Sequence, residues 1–194
     1  WDDNYYVTRS AHIRVDGWTG FGGLWDFSTA LQHGQIEFFP LRDSVYWVLW
    51  HLFGPNPTPF HATNLALHVV VALLVRWLVI ELGFSRWVAL AAALLFGTHP
   101  VHVESVTWIA ALKDPLFLSL MGGAAIAWRK YRQTKRPLQY GASLVLLVGA
   151  LASKSLALPG VILMVAAERL IGTPTPWKRI AQRVAAPGLL TAGA

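Results

Sequence analysis

The sequence predicts an all-α, multi-pass integral membrane protein, and three observations carry that reading. Of its 194 residues, 55% are hydrophobic and only 13% are charged, about half the charged share of an ordinary soluble domain. The apolar residues gather in successive runs, and the mean hydropathy is +0.45. The basic residues flank those runs, as they do in membrane proteins, instead of forming the dense basic face of a nucleic-acid binder. The formal charge of +6 therefore implies no nucleic-acid partner; membrane lipid is the expected surrounding. There are no cysteines, which excludes a disulfide framework and a thiolate metal site.

The elements follow in order. Residues 1–61 are mixed in polarity and rich in glycine, aromatic residues and turn formers, and read as an outer loop. Within it, Pro40–Phe53 has apolar residues near helical spacing together with Tyr46, Trp47 and Trp50. That pattern predicts an interfacial helix, ended by Gly54-Pro55-Asn56-Pro57; the alternative is an ordinary packed helix. Residues 62–172 hold the transmembrane helices. The run 62–80 is long enough to cross roughly 30 Å of hydrocarbon. The run 87–98 is too short to cross alone and breaks at His99-Pro100. The run 115–128 follows, with Asp114 as N-cap and Pro115 at the first helical position. Runs 137–152 and 156–171 complete the set. Residues 173–194 read as a cytoplasmic segment with the start of a further span from Gly188. The chain opens at Trp1 without a signal-like run, which reads as one membrane-domain fragment whose first span lies upstream.

Charge sets the topology. Arg129, Lys130, Arg132, Lys135 and Arg136 follow the third run without an acid, and Lys178, Arg179 and Arg183 follow the fifth. Alternating spans put both groups, with Arg86, on one side, which the positive-inside rule makes cytoplasmic. The segments 1–61, 99–114 and 153–155 then share the opposite face, which is net acidic.

Most of the chemically capable residues gather on that outer face, and ionisable groups at membrane depth are functional candidates. Asp2 and Asp3 are adjacent carboxylates, so one can keep its proton or the pair can bind a divalent cation. Either can also act as general base on a hydroxyl; the plain alternative is a solvated acidic turn. His99 and His102 stand three apart after a helix break, with Glu104 beyond. They suit a metal triad, a polar substrate pocket, or a break that satisfies its own backbone. Lys154 stands alone between two serines, where an ammonium suits a phosphate or snorkels at a span end. Lys113, beside Asp114, has the same two readings. Arg42 beside Asp43 binds an anion or merely pairs with its neighbour, and His61 with Asn64 heads the first run. No glycine-rich phosphate loop, H-E-x-x-H or G-x-S-x-G is present. Without a soluble nucleotide-binding domain, a lipid-linked phosphate fits better than a nucleotide sugar.

The ordered motifs W-D-D-N-Y-Y-V-T (1–8), F-G-P-N-P-T-P-F-H-A-T-N-L-A-L-H (53–68), H-P-V-H-V-E-S-V-T-W-I-A (99–110), K-D (113–114) and S-K-S-L-A-L-P (153–159) resemble the membrane part of the transmembrane and tetratricopeptide-repeat O-mannosyltransferases and their bacterial relatives. That family is similar to the GT-C superfamily of polyprenyl-phosphate-sugar glycosyltransferases. The resemblance implies a partial GT-C-type helical bundle with an interfacial helix in its first outer loop. It implies that Asp2 or Asp3 is the catalytic acidic residue and that Lys154 contacts a lipid phosphate. In relatives the segment from Glu37 to Arg42 more often contains histidine.

The expected function is transfer of a sugar, mannose by the resemblance, from a polyprenyl-phosphate donor to a hydroxyl of a protein or glycan acceptor. Asp2 or Asp3 would take the acceptor proton. Lys154 would hold the phosphate, helped by Lys113, Asp114, Arg42, His61 and the segment His99, His102 and Glu104. No soluble cofactor is required, and a divalent cation at the acidic pair is compatible with the scheme. The expected location is the bacterial inner membrane, or the endoplasmic reticulum in a eukaryote. A transporter or lipid flippase and a non-catalytic membrane scaffold are the rival readings; transporter charges cluster near the midplane, whereas these lie at one surface.

Overall fold

The computed structural model describes residues 7, 9–33, 37–154 and 162, and among these it contains helices and turns but no strand. Asp2, Asp3, the run 156–171 and the segment 173–194 lie outside the described residues. The chain divides into two units, Trp1–Leu158 and Pro159–Ala194; the architecture that follows is that of the first.

Among the described residues eight α-helices succeed one another: α1 Gly17–Gly23, α2 Phe27–Gln32, α3 Pro40–Phe53, α4 Pro57–Glu81, α5 Arg86–Thr98, α6 Val103–Thr107, α7 Lys113–Thr134 and α8 Pro137–Ser153. Short 3-10 turns at Pro100–His102 and Ile109–Leu112 link α5, α6 and α7. The boundaries follow from local chemistry. Asn56 accepts from the Thr58 N–H at 3.1 Å and Ser85 from that of Val88 at 3.3 Å, which satisfies donors that the first turn leaves without partners. Proline opens α3, α4 and α8, where its missing N–H costs nothing. After α4, Gly83 takes φ +88°, a conformation in which any Cβ is strained.

Pairs of neighbouring residues give the topology. Along α4 and α7, Leu67 lies beside Ser119, Leu74 beside Gly122 and Glu81 beside Arg129, so these helices run parallel. Between α7 and α8, Asp114 meets Lys154, Gly123 meets Leu146 and Ala124 meets Ser143, so α8 returns antiparallel. Small residues allow the close approach. A Cβ added at Gly122 would lie 2.6 Å from Leu74 Cδ1, and one at Gly149 would lie 3.3 Å from Leu41 Cδ2 and 3.5 Å from Leu120 Cδ1. The Ser143 hydroxyl donates to the Ala124 carbonyl at 3.1 Å. Small residues with hydroxyl bridges are the interface chemistry of helices packed in lipid.

Two stretches, Pro57–Glu81 and Ile109–Thr134, are long and apolar enough to cross a membrane. The other two apolar helices, α5 and α8, have 13 and 17 residues, short of the roughly 20 that a spanning helix needs. The described residues therefore hold two helices of spanning length, where the sequence suggested a series of spans. Large apolar side chains including Leu65, Val69 and Leu73 on α4, Leu94 and Leu95 on α5, and Val145 and Val148 on α8 are exposed. The expected break at His99-Pro100 is present: α5 stops at Thr98, and His99 has ψ 130°, outside the helical region. One boundary is corrected. Asp114 is not an N-cap; the turn Ile109–Leu112 feeds directly into α7, which starts at Lys113 with Leu112 before it. Asp114 therefore lies inside the first turn, and its carboxylate is spent on Lys154.

Candidate functional site

One end of the α4, α7 and α8 assembly collects charge. The helix α3 lies across it, and its buried residues include Arg42, Asp43, Ser44 and Tyr46. These groups are turned away from solvent, while Val48, Leu52 and Phe53 are exposed. Two long-range bonds fix this end. The Tyr46 hydroxyl donates to the Ile109 carbonyl at 2.8 Å, and the Asn64 amide donates to the Trp108 carbonyl at 2.8 Å. They tie α3 and α4 to the irregular segment between α6 and α7, whose carbonyls lack full helical partners.

A chain of charges runs through the site. Arg42, 1% exposed, donates from Nε to Asp43 Oδ1 at 2.8 Å and from Nη1 to Glu37 Oε2 at 2.9 Å. Lys113 Nζ reaches both Glu37 oxygens, at 2.8 and 2.7 Å. His12 Nε2 lies 3.6 Å from Asp43 Oδ2, both side chains buried. Phe39 lies under the two cations, its centroid 5.1 Å from Arg42 Cζ and 5.7 Å from Lys113 Nζ, within cation–π range. Beside this group, Lys154 pairs with Asp114 across 40 positions of sequence. Burial opposes ionisation of Glu37, but the Lys113 bonds and charge, with Arg42, outweigh it and hold its pKa below the usual value. For Arg42, burial again opposes the charge, and Asp43 reverses the balance, holding its pKa above normal. Arg42, Asp43 and His12 form a buried set held by mutual pairing, whereas Glu37, Lys113, Asp114 and Lys154 are partly exposed.

The histidine segment forms a second group. His68 donates from Nε2 to the Gly97 carbonyl at 3.0 Å. The His102 ring lies 4.2 Å from Phe96, 5.4 Å from His68 and 6.2 Å from His99, centroid to centroid. The Val101 N–H donates to His99 Nδ1 at 3.2 Å, so His99 serves its own backbone turn. Burial, then the neighbouring His68 and His99, lower the pKa of His102. Since His68 is the twelfth residue of α4, the broken end of α5 reaches only about half-way along that helix.

The candidate residues thus fall into three placements. Arg42, Lys113, Asp114 and Lys154 come together at the charged end. His99 and His102 join His68 at the break, while Glu104 and His61 are exposed and enter neither group. Asp2 and Asp3 lie outside the described residues. His99, His102 and Glu104 form no metal-ligating group, and none of three or more His, Asp or Glu residues occurs among the described residues. Glu37 and His12 were not candidates; Asp43 entered only as the neighbour with which Arg42 pairs, and that pair is present. Glu37 meets Lys113 across 76 positions, and no local spacing announces that pairing.

Comparison with known proteins adds the remaining observation. The human protein named Protein O-mannosyl-transferase TMTC1 is 41% identical over 120 residues, covering 59% of this chain and 14% of that relative. The resemblance is to the protein O-mannosyl-transferases. The mouse TMTC1 is 38% identical over 134 residues, 66% of this chain and 14% of the relative, and Drosophila melanogaster Tmtc2 is 32% identical over 111 residues, 54% and 12% respectively. All three relatives carry the name protein O-mannosyl-transferase. The chain spans about one seventh of the length of the curated relatives it matches. No family model and no solved structure matches it.

Proposed function

We propose that this chain is part of a multi-pass membrane glycosyltransferase that moves mannose from a polyprenyl-phosphate donor to a protein hydroxyl at the outer or lumenal membrane face. The observation that carries this reading is the 41% identity, over 120 residues, to a protein named an O-mannosyl-transferase. The charged end supports it: Lys113, Arg42 and Lys154 are brought near one another where α7 begins and α8 ends.

In this reading Asp2 or Asp3 takes the proton of the acceptor hydroxyl. The oxygen attacks the anomeric carbon with inversion as the carbon–oxygen bond to phosphate breaks, and the electron pair leaves on the polyprenyl phosphate. Lys154 and Lys113 offset the charge that develops on that leaving oxygen. The step consumes no oxidant, reductant or soluble cofactor.

The test is a transfer assay on the protein in detergent, with mannose supplied either as polyprenyl-phosphate mannose or as a nucleotide sugar, and the acceptor read by mass spectrometry. The lipid-linked donor should add one hexose to a serine- or threonine-containing acceptor, and the nucleotide sugar none. Transfer from the nucleotide sugar alone would overturn the donor assignment, and transfer from neither would overturn the reading.

A further inference from the structure

Two cations on separate helices converge on one half-buried point, and a carboxylate of the same chain occupies it. Arg42 Nη1 and Lys113 Nζ both reach Glu37, at distances of 2.7 to 2.9 Å. A carboxylate with two oxygens held by an ammonium and a guanidinium edge presents the same pattern as two oxygens of a phosphate. We propose that Glu37 is an internal counter-ion that fills the anion seat of Arg42 and Lys113 and is exchanged for the phosphate group of an incoming ligand.

Three features support exchange over a permanent bridge. The first is position in the chain. Glu37 precedes α3 in a non-helical stretch and is 29% exposed, while Arg42 is 1% exposed and Lys113 opens α7. Glu37 can leave without unwinding a helix; the cations cannot. The second is support that survives its departure. Asp43 keeps the Arg42 Nε bond at 2.8 Å, and the Phe39 ring stays under both cations. The third is charge. A carboxylate and a phosphate diester each carry one negative charge, and inorganic phosphate or a monoester carries at least one, so the exchange keeps the seat's cations compensated and avoids an uncompensated buried cation. Lys154 has its own carboxylate partner, Asp114, so it stays paired when Glu37 leaves. A carboxylate that must be displaced also sets a threshold against anions weaker than phosphate.

The inference rests on the proposed phosphate-bearing donor only for the identity of the ligand. Binding is measured by calorimetry on the detergent-solubilised protein with two probes, inorganic phosphate and a short-chain polyprenyl phosphate. Glu37→Gln keeps the shape and an acceptor for Lys113 but removes the competing charge. It should tighten phosphate binding about tenfold, equivalent to about 1.4 kcal/mol, and Glu37→Gln/Lys113→Gln should lose that gain. Tightening for both probes identifies phosphate itself as the recognised group; tightening for the polyprenyl phosphate alone identifies the lipid headgroup. Glu37→Asp, a methylene shorter, cannot bridge both cations and should bind between the unmodified and Gln forms, which serves the test should Glu37→Gln not fold. Unchanged or weaker binding in whichever variant folds overturns the inference. Tighter phosphate binding without sugar transfer by the unmodified protein would instead sink the proposed function and leave the seat standing.

Discussion

Replacing Arg42 with methionine tests whether the charged end is held by its pairing. The guanidinium is 1% exposed and its partner Asp43 is 2% exposed. The substitution keeps an unbranched side chain of similar reach but takes the guanidinium from the buried Asp43 carboxylate, leaving His12 at 3.6 Å beside it. Glu37 keeps both bonds from Lys113, so the loss concentrates on Asp43. Breaking a buried pair from one side costs about 3–5 kcal/mol, a large share of the roughly 5–15 kcal/mol that holds a domain folded. Removing both partners, in Arg42→Met/Asp43→Leu, leaves no stranded charge and should recover most of that loss. The assay is reversible unfolding of the helical circular dichroism signal in mixed micelles, run as a double-mutant cycle. An Arg42→Met loss within about 0.5 kcal/mol, the range of an ordinary surface change, would refute the reasoning, as would a double variant no more stable than the single one.

Three further outcomes follow from the same geometry. Tyr46→Phe removes the donor to the Ile109 carbonyl, a 2.8 Å bond between buried groups, and should cost about 1–3 kcal/mol in the same unfolding assay. Because the folded-state pKa of Glu37 lies below 4.5, its contribution to stability is fully present above that value and is lost as pH falls through the lowered one. Unfolding midpoints of Glu37→Gln and the unmodified protein should therefore differ most above pH 4.5 and draw together as the pH falls below it. Since the chain has no cysteine, Thr107→Cys and Gln133→Cys can be labelled without background by an impermeant maleimide on sealed vesicles. The two should react from opposite sides, and labelling from the same side would dismantle the topology.

Much of the helical framework was legible because it rests on local rules. The proline and glycine punctuation around Pro40–Phe53 marked α3, and the length of the run before His99-Pro100 marked the short α5 and its break. The start of α7 was misread because Asp114-Pro115 has the form of a capped helix start, while a 3-10 turn of residues with no capping signature extends the helix backwards. The chemistry was legible in types, and in partners only for the adjacent Arg42–Asp43 pair. Arg42, Lys113, Asp114 and Lys154 were visible as unusual charges beside apolar runs. Their carboxylate partnerships cross 5, 76 and 40 positions where Glu37 and Asp114 are concerned, and distances of that size depend on packing, which periodicity does not encode. The bond from Tyr46 to the Ile109 carbonyl, 63 positions away, was likewise hidden.

The central claim is that sugar transfer uses the acidic pair as base and the cationic end as the seat of the phosphate. The direct test measures turnover and donor affinity separately, in detergent with polyprenyl-phosphate mannose, for Asp2→Asn, Asp3→Asn and Lys154→Ala. Replacing the base should lower turnover about 10²–10⁴-fold with donor affinity kept. Lys154→Ala should weaken donor binding by about 1.5–3 kcal/mol, the worth of a hydrogen bond to a charged group. If both Asp→Asn proteins transfer mannose at the unmodified rate, the acidic pair is a solvated turn and the account is contradicted.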